Sequence, residues 1–323
     1  MRAVSSVLLL LLLAGCGPTP PTPAVSKAFP PPIPFGPADG SNALARVAAL
    51  CRLGPRDAGT PGGVQAADWI AAQLQAEGLH PRIDTFTNAT PAGPLVCRNV
   101  LAELPVSHIT MCDNKAAADG AGSRTFLLLS HFDTKSGISS NFVGANDGGS
   151  STALLLELAH ALQRTPLRGT RVLLGFLDGE ECRVEYGPHD GFHGSRRLAA
   201  QCAAEKRPLH AVILLDMIGD RDLTVMLPAN GTPALSQLVF DAATAVGARR
   251  CFQLADGRIL DDHQAFLDAG YPAIDLIDFR YGSSPGANDY WHTAEDTPDK
   301  LSAESLTTVG QVVLEMLRRL AAE

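Results

Sequence analysis

Short apolar runs alternate with amphipathic stretches along most of the chain, and the period of each predicts its element. Ala43 to Arg52 has helical spacing, with Ser41 or Asn42 available as its cap. Val64 to Glu77 is apolar at Ala67, Ile70 and Leu74, a helix stopped by Gly78. Between these two lies Gly54 to Gly63, a loop by its Gly and Pro content. Pro81 to Thr87 and Leu95 to Leu104 alternate in the two-residue period of strands. A regular rhythm follows. Strands are predicted at Phe126–Ser130, Arg171–Leu177, Ala211–Leu215 and Ala273–Ile277, and helices at Gly149–Gln163, Gly194–Gln201, Pro233–Val246, Asp262–Ala269 and Ala303–Ala321. Continuously apolar strands separated by helices predict an α/β domain: one mostly parallel, mixed β-sheet with helices on both faces. No internal repeat or second domain is visible, so residues 39–323 are expected to form one catalytic unit.

The first 38 residues follow different rules. Arg2, the apolar run Val7–Leu13 and the small residues Ala14-Gly15 before Cys16 have the form of a secretory signal peptide over residues 1–15. That apolar core is too short to span a bilayer, which takes about 20 helical residues. Gly17 to Pro37 holds nine prolines and reads as an extended spacer. A net charge of -8 gives no sign of a nucleic-acid partner. Six further cysteines, 51, 97, 112, 182, 202 and 251, contain no Cys-x-x-Cys pair, which argues against a thiolate zinc site; their pairing does not follow from sequence.

The candidate chemistry lies at or beyond the ends of the apolar runs, where ligands bind in open α/β sheets. His131 and Asp133 follow the Phe126 run, a His with a carboxylate to orient it. Asp147 precedes a Gly-Gly-Ser-Ser helix start, as either a helix cap or a metal ligand. Glu180 and Glu181 follow the Arg171 strand. Neighbours on an extended chain point opposite ways, so one can hold a metal while the other serves as general base. Asp216 ends the Ala211 run, Asp261-Asp262-His263 begins a helix, and Trp291-His292 follows a Gly/Ser-rich loop. Two His and three carboxylates suit zinc. No Gly-x-Ser-x-Gly elbow, P-loop or dinucleotide fingerprint is present.

Taken in order, His-x-Asp, Gly-Ala-x-Asp, Asp-Gly-Glu-Glu, a strand-end Asp and a late His-Thr resemble the zinc exopeptidase superfamily of the bacterial aminopeptidase type. Within it the chain is most similar to the glutaminyl-peptide cyclotransferases. Lys135 completes a His-x-Asp-x-Lys run, Cys182–His193 lengthens the link after Glu181, Asp261 stands where aminopeptidases usually carry Ser, and Trp291 directly precedes His292. The resemblance implies one zinc on Asp147, Glu181 and His292, with Glu180 as acid/base and Asp216 and Asp261 in a hydrogen-bonded network behind it. It also implies Trp291, Tyr186 and Lys135 around the substrate, with Asp133 and His263 as supports. Tyr186 replaces the Trp of the animal enzymes, and Ser130 replaces a Cys. The substrates implied are peptide or protein N-termini. The alternative is an aminopeptidase with a second zinc on His131 and Asp216, bridged by Asp147. A non-catalytic binding lipoprotein would show a lost ligand or a lost Glu180, and none is lost. Leu13-Ala14-Gly15-Cys16 resembles the bacterial lipoprotein box, which implies lipid on Cys16, a linker over 16–38 and an exported enzyme anchored facing the periplasm or cell surface.

Overall fold

The computed structural model describes residues 29–105 and 124–323. Cys16, the leader, the spacer up to residue 28 and Cys112 lie outside the described residues. The chain forms α1 (Pro37–Cys51), α2 (Pro61–Ala76), β1 (Arg82–Thr90), β2 (Gly93–Glu103), β3 (Arg124–His131), α3 (Gly149–Arg164), β4 (Thr170–Leu177) and α4 (His193–Ala204). It continues through β5 (Leu209–Asp216), β6 (Val225–Leu227), α5 (Pro233–Ala245), β7 (Phe252–Leu254), α6 (His263–Asp268), β8 (Ala273–Ile277) and α7 (Ala303–Ala322). The eight strands make one sheet in the order β1-β2-β4-β3-β5-β8-β6-β7. Its centre, β4-β3-β5-β8, is parallel, and β1 and β2 are an antiparallel hairpin on one flank.

Side chains alternate across the central strands as the two-residue period requires. Phe126 and Leu128 of β3, with Ala211, Ile213 and Leu215 of β5, pack into the larger core under α1, α2, α3, α5 and α7. Leu127 and Leu129, with Val212 and Leu214, face the smaller core under α4 and α6. Both faces are covered, which is why Phe126–Leu129 of β3 and Ala211–Leu215 of β5 are apolar at every position. Among the described residues no helix is long and apolar enough to cross a membrane.

The start of the domain differs from the expected one. Helix α1 begins at Pro37, and its N-cap is Gly36, whose N–H donates to Asp39 Oδ2 at 2.7 Å. Neither Ser41 nor Asn42 caps it; Ser41 lies one turn inside and donates to the Pro37 carbonyl. Proline suits the first helical position because its missing N–H would have no partner there. The last residues of the Pro-rich run also belong to the domain. Ile33 and Phe35 are buried, and the Pro30 and Phe35 carbonyls accept from Arg318 and Gln311 of α7. An extended proline-rich backbone has no internal hydrogen bonds, so its carbonyls are free for such docking. Strands β6 and β7 were not anticipated, because three residues are too few to display a period.

Candidate metal centre and active site

The parallel register brings the chemistry to one edge. His131 ends β3 level with Leu177, the end of β4, and Asp216 ends β5 level with Ile277, the end of β8. Beyond those ends lie Glu180 and Glu181, the loop carrying Asp147, the start of α6 with Asp261, and the loop carrying His292. Residues up to 161 positions apart, from His131 to His292, thus meet because four strands stop together.

Two ligand triads share Asp147. His292 Nε2 lies 2.9 Å from Glu181 Oε1 and 3.2 Å from Asp147 Oδ2. His131 Nε2 lies 3.1 Å from Asp216 Oδ1 and 3.2 Å from Asp147 Oδ1. Within each triad all three donor atoms fall within 4.8 Å of one another. Zinc bonds of about 2.0–2.1 Å at tetrahedral angles place donors roughly 3.3 Å apart. Asp147 Oδ2 is buried with no hydrogen-bond partner, an expensive state for a carboxylate oxygen unless a cation satisfies it. The donor set therefore fits zinc. Asp147 is not a helix cap: Gly148, in the left-handed region at φ 72°, is the N-cap of α3, and the Asp147 side chain is free to face both triads.

Glu180 and Glu181 do not point opposite ways. Gly179 turns the chain at φ 75°, and both carboxylates reach the same cavity. Tyr186 Oη donates to Glu181 Oε2 at 2.8 Å and lies 3.4 Å from Glu180 Oε2. Asp133 sets this turn. Its two oxygens accept the Glu180 and Glu181 N–H groups at 3.1 Å each. It lies 3.6 Å from His131 Nδ1, too far to be the orienting partner expected of it. Burial first, and the adjacent Glu181 charge second, push the Glu180 carboxyl well above the usual range. A carboxylate so raised is suited to accept and return a proton near neutral pH.

The cavity has a volume of about 320 Å³. Five carboxylates, Asp147, Glu180, Glu181, Asp216 and Asp261, line its interior, and Trp291, Phe279, Ile277 and Tyr186 form apolar walls. Trp291 stacks on His292 with ring centroids 4.0 Å apart and meets Phe279 edge-on at 5.4 Å. His292 itself has φ 54°, a strained conformation for a non-glycine residue that aims its ring inward. A larger cavity of about 470 Å³ lies by Arg46, Trp69 and His160, but it contains no ligand triad, and Arg46 and His160 there already pair with Glu77 and Glu157.

Three expected roles change. Lys135 does not line the cavity; its Nζ donates to the Cys182 carbonyl at 2.5 Å and lies 3.7 Å from Glu181 Oε2, so it ties down the loop after the glutamates. His263 supports no ligand. Its Nε2 meets Asn230 Nδ2 at 2.9 Å, and burial lowers it to about 4, which keeps it neutral. Asp216 bonds His131, and Asp261 Oδ1 accepts the Asp262 N–H, so neither bonds Glu180 directly. Among the described cysteines, 51, 97, 182, 202 and 251 are all free thiols.

Two positioning residues escaped the sequence reading. Arg56, wholly buried, donates to the carbonyls of Phe132, Val143 and Gly144, and its own N–H donates to Thr134 Oγ1. It joins the loop after His131 to the loop before Asp147. Asp296 accepts the Asn146 and Asp147 N–H groups and the Tyr281 hydroxyl. A lone Arg in a Gly/Pro loop has no spacing signature. Asp296 did carry one signal, its place four residues after His292.

The model of peptidase family M28 matches residues 114–317, more than half of the chain. This protein belongs to peptidase family M28. The chain is 33% identical to a glutaminyl cyclase from an Acidobacteriales bacterium, covering 94% of this chain and 99% of that one with a TM-score of 0.77. It is 28% identical over 296 residues to the glutaminyl-peptide cyclotransferase-like protein of Bos taurus, covering 81% of this chain and 71% of the other. A Zn-dependent exopeptidase from Parabacteroides distasonis is 26% identical, covers 88% and 98% of the two chains, and has a TM-score of 0.73.

Proposed function

We propose that this M28 protein is a zinc-dependent glutaminyl-peptide cyclotransferase, converting the N-terminal Gln of peptides to pyroglutamate with release of ammonia. The observation that carries this is Glu180, buried and outside both triads, facing a small cavity beside Asp147, Glu181 and His292. Relatives whose names specify glutaminyl cyclisation support it. Asp147, Glu181 and His292 would hold the zinc, which as a Lewis acid polarises the side-chain amide carbonyl of the substrate. The interior carboxylates receive the α-ammonium group, which releases one proton to solvent to become the nucleophilic amine, and Trp291 and Phe279 confine the side chain so that it folds back. Glu180 takes a proton from the amine, whose nitrogen forms a bond to the amide carbon and closes a five-membered ring. The carbon–nitrogen bond to the amide group breaks, and Glu180 returns its proton to the departing ammonia. The nucleophile and the electrophile belong to one molecule, so confinement supplies much of the rate.

The second triad favours one other reading. His131, Asp147 and Asp216 have the same spacing as the first set, which suits a two-zinc aminopeptidase in which Glu180 would activate water. Incubating the zinc-loaded full chain with a Gln-initiated and a Leu-initiated peptide separates the two by mass spectrometry. Loss of ammonia from the Gln peptide with the Leu peptide intact is expected. Release of free Leu without cyclisation would establish the aminopeptidase. The same proposal takes Cys16 as a lipidated anchor on an exported enzyme; Cys16→Ala should move the protein from the membrane to the soluble fraction.

A further inference from the structure

The cavity that holds Glu180 is electrically asymmetric. Its interior carries the five carboxylates, all buried, whereas its lip is the exposed Arg258 and Leu260 with the half-buried Ile259 between them. Among the described residues, Arg258 is the only Lys or Arg that lines this cavity. Its guanidinium makes one long contact, Nη2 to Gln264 Oε1 at 3.4 Å, and no carboxylate among the described residues pairs with it. Leu260 is 57% exposed beside it, an apolar surface with nothing packed over it. A volume of about 320 Å³ is at the small end for a binding pocket, room for one terminal residue rather than a run of chain. The residue after it must therefore lie at the lip.

We propose that Arg258 and Leu260 select the second residue of the substrate, favouring a peptide whose N-terminal Gln is followed by an acidic residue. This rests on the cyclotransferase reading and adds a substrate class to it. The ammonium end enters the negative interior, and the carboxylate of the next residue meets the unpaired guanidinium, with its methylenes against Leu260. A lysine there would meet like charge. Arginine suits this task because its planar fork matches a carboxylate with two parallel hydrogen bonds.

The test compares three peptides, Gln-Glu, Gln-Ala and Gln-Lys followed by one common neutral sequence, on the zinc-loaded full chain. The expected order of kcat/KM is Glu above Ala above Lys. A charge at a solvated lip is worth up to about 1 kcal/mol, or roughly fivefold per step. The spread should narrow in Arg258→Ala, invert in Arg258→Glu, and shrink near 1 M salt, where screening acts within about 3 Å. Because the ranking is a ratio within one variant, partial loss of folded protein cancels. Equal kcat/KM for the three peptides, or an undiminished spread in Arg258→Ala, overturns the inference while leaving cyclisation intact. No pyroglutamate from any peptide overturns the cyclisation reading and this inference with it.

Discussion

Glu180 faces the cavity and Arg56 joins the loops after His131 and before Asp147, and each yields a test at the scale of a single side chain. Glu180 is the one interior carboxylate that neither joins a triad nor bonds a backbone group with its side chain, and burial beside Glu181 raises it. Glu180→Gln keeps the shape and removes the proton acceptor. Turnover should fall by about 10²–10⁴-fold, the usual contribution of a general acid/base, while metal content by elemental analysis stays at the wild-type level. Retained turnover would refute the role. Arg56 holds the carbonyls of Phe132, Val143 and Gly144, of which that of Val143 also accepts a long bond from the Cys51 thiol at 3.7 Å. Arg56→Lys keeps the charge but loses the planar fork, and at least one carbonyl goes unpaired. Denaturant titration should show a loss of about 2–4 kcal/mol, and the melt should not be rescued by zinc.

At the scale of elements, the site is a set of turns fixed by strand ends. Asp133 holds the Glu180–Glu181 turn, Asp296 holds the Asn146–Asp147 turn, and Gly148 lets the second pass beneath His131. A methyl group at Gly148 would lie 3.0 Å from His131 Cε1 and 3.1 Å from the Asp133 carbonyl, at a φ that L residues rarely adopt. Gly148→Ala should cost about 1–2 kcal/mol from the backbone alone. It should also lower kcat/KM, because the methyl pushes on His131 and on the residue that sets Glu180. A normal melt with normal kinetics would show that this turn does not position the site. The sequence places the Glu180–Glu181 turn after an apolar run and the Asn146–Asp147 turn before a helix start, and both lie there. It did not reveal that Asp133 serves the next strand's glutamates rather than its own neighbour, because that contact spans the sheet.

At the scale of the whole molecule, folding gathers the ionisable groups where they repel. Asp147, Glu180, Glu181, Asp216 and Asp261 are all buried at one edge of the sheet, with Asp275 buried two residues inside the end of β8, and burial first and mutual repulsion second raise Glu180, Asp261 and Asp275. Such a cluster costs stability unless a cation is present. Chelation should therefore lower the melting temperature and zinc should restore it. A free-metal concentration about 1,000 times Kd supplies about 4 kcal/mol, roughly 8–16 °C for a domain of this size. Scanning calorimetry reads the shift. Equilibrium dialysis in the same buffer reads one ion per chain for the cyclotransferase or two for the aminopeptidase. An unchanged melt in chelator would contradict a metal at this edge.

Periodicity is a local property, and it was enough for the architecture. Apolar runs such as Phe126–Leu129 and Val212–Leu215 are readable because each residue of a strand covered on both faces must be apolar. The ligand residues were readable for a related reason: a charge directly after such a run lies at a sheet edge, where burial is costly without a partner. Other features needed the folded chain. The sharing of Asp147 by two triads, the Arg56 staple, the diversion of Lys135 to Cys182 and the three-residue strands β6 and β7 all depend on contacts between distant segments. Such contacts leave no period, because they are set by the register of neighbouring strands and by turns at Gly148 and Gly179. The sequence determined which side chains stand at the edge, and the tertiary structure decided which of them touch.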